Sequence, residues 1–249
     1  MTLDLCVDRR DRAQAANGGQ ASQRTRPCAA PAKPDTIPRV KTLAPGVHQL
    51  KGVPPNAINV YLVEDVLVDA GTRRAEKRIL RELGSRDVSA HLVTHAHPDH
   101  YGSSHALCDR LGLPLWAGAI DAEALEAGAP PHSPTRVGEF MARMKMPPGH
   151  PVARRLHEGD EVAGFRVLDT PGHTPGHIAL WRESDRVLIA GDVFFNVTKT
   201  GQPPRFLSSD PAVNRESMRR LAELRPALAV FGHGPPSRDP ARLAQAAMR

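Results

Sequence analysis

Residues 94–102 read THAHPDHYG, and four of them, His95, His97, Asp99 and His100, carry side chains that can bind a metal ion. Pro98 sits among them. Proline has no N–H to donate, and it pushes the preceding residue, His97, away from helical backbone. The segment therefore reads as a loop. In extended backbone, residues two apart point the same way. His95 and His97 can reach one ion together, while Asp99 and His100, beyond the turn, can aim at a second point nearby. A helix-borne zinc site would show histidines four apart in an HExxH pattern, which this chain lacks.

Two neighbouring ions need more ligands than one loop offers. Three other segments supply candidates: TPGHTPGH (170–177), AGD (190–192) and FGHG (231–234). Each puts a histidine or aspartate where a predicted strand stops, beside a glycine that lets the backbone approach closely. Rigid strand ends hold ligands better than free loops do.

The elements that must position these loops are legible as apolar runs. VHQL (47–50), INVYLVE (58–64) and VLVDAG (66–71) read as strands, the last two as a hairpin around Glu64 and Asp65. AHLVTH (90–95) is a short strand feeding the histidine loop, and LPLWAG (113–118) is another. EVAGFRVLDT (161–170), HIALWRE (177–183), RVLIAGD (186–192) and ALAVFG (227–232) are the strands of the second half. Helices are expected over 73–83, stopping at Gly84, and over 103–112, ending at a glycine. Further helices are expected at DAEALEAG, GEFMARMKM, DPAVNRESMRRLAELR and DPARLAQAAMR. Strands in blocks with interspersed helices predict an α/β sandwich.

An HxHxDH segment, then a PGHT loop, then GD at a strand end, then GH near the C-terminus, in that order, resembles the metallo-β-lactamase superfamily. The resemblance covers roughly residues 39–240 and implies a four-layer αββα sandwich. It also implies two divalent metal ions, zinc first, with iron or manganese as alternatives. His95, His97 and His173 would hold one, Asp99, His100 and His233 the other, and Asp192 would bridge both. The first histidine of TPGHTPGH matches the family's ligand, so His177 is assigned a role in supporting a ligand or in the structure. Asp69, in VLVDAGT, matches a family aspartate that orients a ligand histidine. Tyr101, directly after the motif, is a candidate substrate contact, with packing over the loop as the alternative. Two ions can share a water and lower its pKa toward ~7, so that hydroxide attacks a carbonyl. Asp99 could take a proton from that water and pass it to the leaving group.

Composition narrows the partners. The chain has 249 residues and a net charge of +6. Residues 1–41 hold eight Lys/Arg and four Asp, which leaves +2 for the other 208 residues. The basic balance therefore belongs mainly to the polar tail, residues 1–36, which is expected to be disordered. Aromatic residues are 4%, too few for a stacking surface, so nucleic acid is not an expected partner. No apolar run approaches the ~18 residues that span a bilayer, and the start has no apolar core of a secretory signal. Three scattered cysteines, Cys6, Cys28 and Cys108, form no CxxC pair and no disulfide framework, as expected of a cytoplasmic protein. The other histidines, His48, His91, His105, His132, His150 and His157, read as surface or core residues, and Arg205 as a solvated loop residue.

The resemblance also separates branches of the family. Asp192, with no cysteine near it, argues against an antibiotic-degrading β-lactamase. Forty residues between Asp192 and His233 leave no room for the inserted domain of the RNA-processing nucleases. The ligand set resembles the glyoxalase II and lactonase branch. Sixteen residues follow His233, which disfavours the glutathione-binding helical domain of glyoxalase II proper. A partly helical insert near 119–150, with Met141, Met144 and Met146, could wall the pocket with flexible apolar groups. The expected activity is a dinuclear metal-dependent hydrolase of a small thioester or ester-like carbonyl compound. A lactonase, or an enzyme resembling the persulfide dioxygenases with one iron on His95, His173 and Asp192, are the alternatives.

Overall fold

The computed structural model describes residues 40–142 and 145–249. The expected tail, residues 1–36, lies outside the described residues. One sheet has seven strands, in chain order across the sheet: β1 (Val40–Ala44), β2 (Val47–Leu50), β3 (Tyr61–Val63), β4 (Val66–Val68), β5 (Ala90–Val93), β6 (Leu115–Gly118) and β7 (Val152–Leu156). The second has five: β8 (Glu161–Val162), β9 (Phe165–Asp169), β10 (Ile178–Arg182), β11 (Val187–Ile189) and β12 (Leu228–Val230), ordered β12-β11-β10-β9-β8. The helices are α1 (Glu76–Leu83), α2 (Ser104–Leu111), α3 (Ala122–Ala127), α4 (Arg136–Ala142), α5 (Pro211–Glu223) and α6 (Pro240–Ala247).

Strand alternation explains the layering. Successive side chains leave opposite faces of a strand. On β10, Ile178 and Leu180 join the core between the two sheets, while Ala179 and Trp181 join the core on the outer face. β11 does the same with Val187 and Ile189 inward and Leu188 outward. The inner core also takes Val47, Tyr61, Val66, Val68 and Leu92 from the first sheet. The outer face of the second sheet is covered by Met218 and Leu221 of α5 and Leu243 and Ala246 of α6. The outer face of the first is covered by Ile79 and Leu83 of α1, Leu107 and Cys108 of α2, and Leu125 of α3. The result is the four-layer αββα sandwich that the sequence predicts.

Local chemistry sets the ends of the helices. Asp210 and Asp239 cap α5 and α6 by accepting backbone N–H groups one turn in, each followed by a proline at the first helical position. α2 stops at Gly112, whose φ of +66° is left-handed.

Three expectations change. The run 161–170 is not one strand but a tight hairpin of β8 and β9, turned at Ala163 and Gly164, both at positive φ. The helix expected from residue 73 begins at Glu76. β1 and β7 were not expected as strands. They are the two edges of the seven-stranded sheet, where charged residues replace an apolar run. On β7, Arg154 lies over the Trp116 ring at 5.3 Å.

Candidate metal centre

Five strands aim their C-terminal ends at one place. Asp69 follows β4, the segment His95–His100 follows β5, and His173 lies in the loop after β9. Asp192 follows β11 and His233 follows β12. β4 and β5 run parallel, as do β11 and β12, so their ends fall on the same edge.

The side chains form two groups. His95, His97 and His173 offer nitrogens within 4.8 Å of one another, and so do the ligand atoms of Asp99, His100 and His233. In the first, His97 Nδ1 is 2.9 Å from His173 Nε2. In the second, His233 Nε2 is 3.2 Å from Asp99 Oδ2 and 3.4 Å from His100 Nε2. Asp192 joins them: its Oδ2 is 3.3 Å from His173 Nε2, His100 Nε2 and His233 Nε2, and 3.8 Å from His95 Nε2. Ligands held ~2.0–2.1 Å from a tetrahedral ion lie roughly 3.3 Å apart.

The residues fit metal ions on a second count. His95 Nε2 and Asp192 Oδ1 are buried without a hydrogen-bond partner. A buried polar atom left unpaired costs about 1–3 kcal/mol, which an ion would offset. Imidazole and carboxylate are the donor set of zinc, iron or manganese. Space is kept by Gly232, where a Cβ would meet Asp192 Oδ1 at 2.0 Å.

His95, His100, His173 and His233 are each aimed through the far nitrogen. Asp69 Oδ2 lies 2.8 Å from His100 Nδ1, which fixes the proton there and leaves Nε2 facing the site. Asp69 also accepts from the backbone N–H and the hydroxyl of Thr94, and Thr94 Oγ1 is 3.1 Å from His95 Nδ1. His233 Nδ1 donates to the Ala57 carbonyl at 2.5 Å, and His173 Nδ1 is 3.3 Å from Ser208 Oγ. His177 is not in either group. Its Nε2 accepts the backbone N–H of Asp192 at 2.9 Å, and its Nδ1 donates to Thr170 Oγ1 at 2.8 Å. It positions the bridging aspartate.

Sequence reading missed two supports. Asp121, which reads only as a helix start, is buried and ties two ligand loops together. It accepts from Ala96 N–H at 2.9 Å, Thr174 Oγ1 at 2.6 Å and Gly176 N–H at 2.7 Å. Asn59 holds the last loop, donating to the carbonyls of Phe231 and Gly234, both at 2.8 Å. Nothing local in the sequence marks either residue, because both act on loops far along the chain.

The electrostatics of the ion-free chain follow from burial and crowding. Burial pushes the His95 imidazole well below its usual range, with neighbouring His100 adding to the effect, and pushes His97 down to about 3. Burial acts to raise Asp192, yet the charges of His100 and His233 outweigh it and hold the carboxyl well below the usual range. His100 and His233 go the other way. Burial lowers both, but the surrounding carboxylates raise them, His233 to about 10. Burial raises Asp121, against the hydrogen bonds from Thr174, Ala96 and Gly176.

His97, Asp99, His173, Asp192 and His233 line one end of a cavity of about 400 Å³. Its apolar lining includes Pro130, Pro131, Met146 and Pro147 of the insert together with Phe195, Phe206 and Leu207. Arg73, His132 and Lys145 add polar points. Met141 and Met144 have side chains outside the described ones. Tyr101 does not line the cavity. It is 2% exposed, packed with Val93, Ala96, Cys108 and Leu125 behind the loop, so the expectation of a substrate contact is corrected to one of packing. Arg205 is exposed and outside the cavity lining, as expected.

Comparison with known proteins identifies the family. The probable metallo-hydrolase YflN of Bacillus subtilis (strain 168) is 28% identical over 228 residues, covering 78% of this chain and 85% of that protein. A hydroxyacylglutathione hydrolase of Chelativorans sp. (strain BNC1) is 29% identical over 162 residues, covering 64% of this chain and 52% of that protein. A protein whose crystal structure is of a di-iron-bound form superposes with a TM-score of 0.59 at 26% identity, covering 83% of this chain and 97% of that one. The family model described as the metallo-beta-lactamase superfamily matches residues 53–233, and the chain belongs to that superfamily.

Proposed function

We propose that the protein is a dinuclear metal-dependent hydrolase of a small thioester or ester. The observation that carries this reading is Asp192, which lines the cavity and whose Oδ2 lies 3.3 Å from nitrogens of both ligand groups. When bound, a pair of divalent ions supplies an activated water and a polarised carbonyl. The chain supplies the rest. His95, His97 and His173 would hold one ion and Asp99, His100 and His233 the other, with Asp192 between. Asp69, His177 and Asp121 orient those groups before substrate arrives. Asp99, which lines the cavity, would take the proton of the incoming water and return it to the leaving sulfur or oxygen. Water adds across the acyl bond, giving a carboxylic acid and a thiol or alcohol.

The walls favour an apolar acyl portion, because proline, methionine, phenylalanine and leucine side chains offer no hydrogen bonds. Arg73 and Lys145 would face an anionic end of the substrate. The similar hydroxyacylglutathione hydrolase supports the thioester, and the di-iron neighbour supports two ions. A lactone is the second reading, since a cyclic ester with an acyl chain suits the same apolar wall. The test is hydrolysis of a glutathione thioester beside an acyl-homoserine lactone by zinc-loaded protein, each with a chelator control. Faster chelator-sensitive thioester cleavage is expected. Faster lactone opening would favour the second reading. Inactivity on both, with one iron per chain and oxygen uptake, would overturn hydrolysis altogether.

A further inference from the structure

A second cluster of metal-binding side chains lies outside the centre described above. His105 and Asp109 stand one turn apart on α2, and His150 ends the insert. His105 Nδ1 is 3.2 Å from His150 Nδ1, and His150 Nδ1 is 3.7 Å from Asp109 Oδ1. All three residues offer ligand atoms within 4.8 Å of one another. These separations bracket the roughly 3.3 Å edge of a tetrahedral zinc site. None of the three lines the cavity.

The third ligand is positioned by backbone packing. The backbone N–H of His150 donates to the Leu125 carbonyl at 3.1 Å, at the end of α3. Gly149 presses so closely on α3 that a Cβ there would meet the Glu126 carbonyl oxygen at 2.1 Å. The His150 side chain is 16% exposed, whereas His105 and Asp109 are 42% and 59% exposed. Two ligands thus sit on a helix, one on a fixed loop, and the open side faces water. Burial lowers the His150 imidazole, which favours the neutral form that binds metal.

We propose that His105, Asp109 and His150 bind a divalent transition-metal ion of the zinc class, with water completing the site. The ion would fasten the end of the insert to α2. Lys145, Met146 and Pro147 line the cavity just before His150. An ion here therefore fixes one wall of the cavity from outside it, without touching substrate. This site does not depend on what the main centre hydrolyses.

The test is zinc binding by the full chain, followed by calorimetry and by metal analysis after dialysis against buffered micromolar zinc. Wild type is expected to hold one zinc equivalent more than His150→Ala, with the tightly held ions of the main centre retained in both. Should His150→Ala fail to fold, the surface double variant His105→Gln/Asp109→Asn takes its place. Hydrogen exchange supplies a readout that localises the ion: added zinc slows exchange over residues 145–150 in wild type and leaves the variant unchanged. Equal zinc uptake by wild type and variant, or zinc protection that persists in the variant, overturns the proposal.

Discussion

Asp192 Oδ2 faces both ligand groups, so its removal has a different consequence from the loss of any one histidine. Asp192→Ala is expected to lower metal content below that of wild type and to reduce turnover at least about a hundredfold, since effects of ~10–100-fold already follow from residues that merely support ligands. Metal analysis paired with the thioester assay checks this; full metal and full rate would refute the ligand assignment. Asp121 makes a separate test. Both of its oxygens accept hydrogen bonds, three in all, and Asn would turn an NH₂ toward those donors. Asp121→Asn should cost about 1–3 kcal/mol in urea unfolding and weaken zinc about 10–100-fold in chelator competition. The ligand types were legible because HxHxDH packs four of them into six residues. Asp121 was not, since its partners Ala96, Thr174 and Gly176 come together only when both sheets are built. Tyr101 shows the converse: adjacency in sequence to the ligand loop says nothing about which side of the loop a residue takes.

At the scale of the element, β5 is held from two sides by His91. Its Nδ1–H donates to the Leu67 carbonyl on β4 at 2.9 Å, and its Nε2 accepts from Ser104 Oγ at the start of α2, 2.8 Å away. Protonating Nε2 would force the second bond to reverse, with Ser104 Oγ as acceptor, and would bury a charge. Burial holds the imidazole down at about 4, against an ordinary value of 6.5. The unfolded chain therefore binds the extra proton first. The contribution of His91 to stability is present above pH 6.5 and is lost as pH falls toward 4. It amounts to roughly 3 kcal/mol across that window, at ~1.4 kcal/mol per pKa unit. Urea midpoints of wild type and His91→Gln, measured from pH 7.5 to 4.5, should converge as the pH drops. Parallel curves would show that His91 does not titrate in this range. The inner strands were legible because both faces are buried and their sequences are mainly apolar, as in VLV of β4 and AHLV of β5, where His91 is the exception. The edge strands β1 and β7 were not, because one side of each has no partner and their sequences, VKTLA and VARRL, carry charge. The hairpin of β8 and β9 hid for a different reason: its two-residue turn sits inside one apolar run.

At the scale of the whole molecule, each ligand group draws on both sheets. His95, His97, Asp99 and His100 come from the first, and His173, Asp192 and His233 from the second. No described helix is long and apolar enough to cross a membrane. The polar composition of residues 1–36 offers little apolar surface to bury. Their deletion should leave the melting temperature within about 2 °C, a shift that corresponds to at most about 1 kcal/mol in a chain of this size. A larger fall, read by calorimetry, would show that the tail contributes to the fold.

The dense HAHPDH segment has a consequence for refolding. Four ligands within six residues remain near one another when the rest of the chain is unravelled. The unfolded chain can therefore chelate zinc locally, before His173, Asp192 and His233 arrive. Binding to the unfolded state offsets part of the stabilisation that binding to the native state provides. Zinc added at the start of refolding should thus slow recovery, through premature chelation, relative to zinc added after the sandwich has closed. Stopped-flow fluorescence with the two orders of addition would read the difference, and identical rates would mean that the loop captures no ion until both sheets are in place.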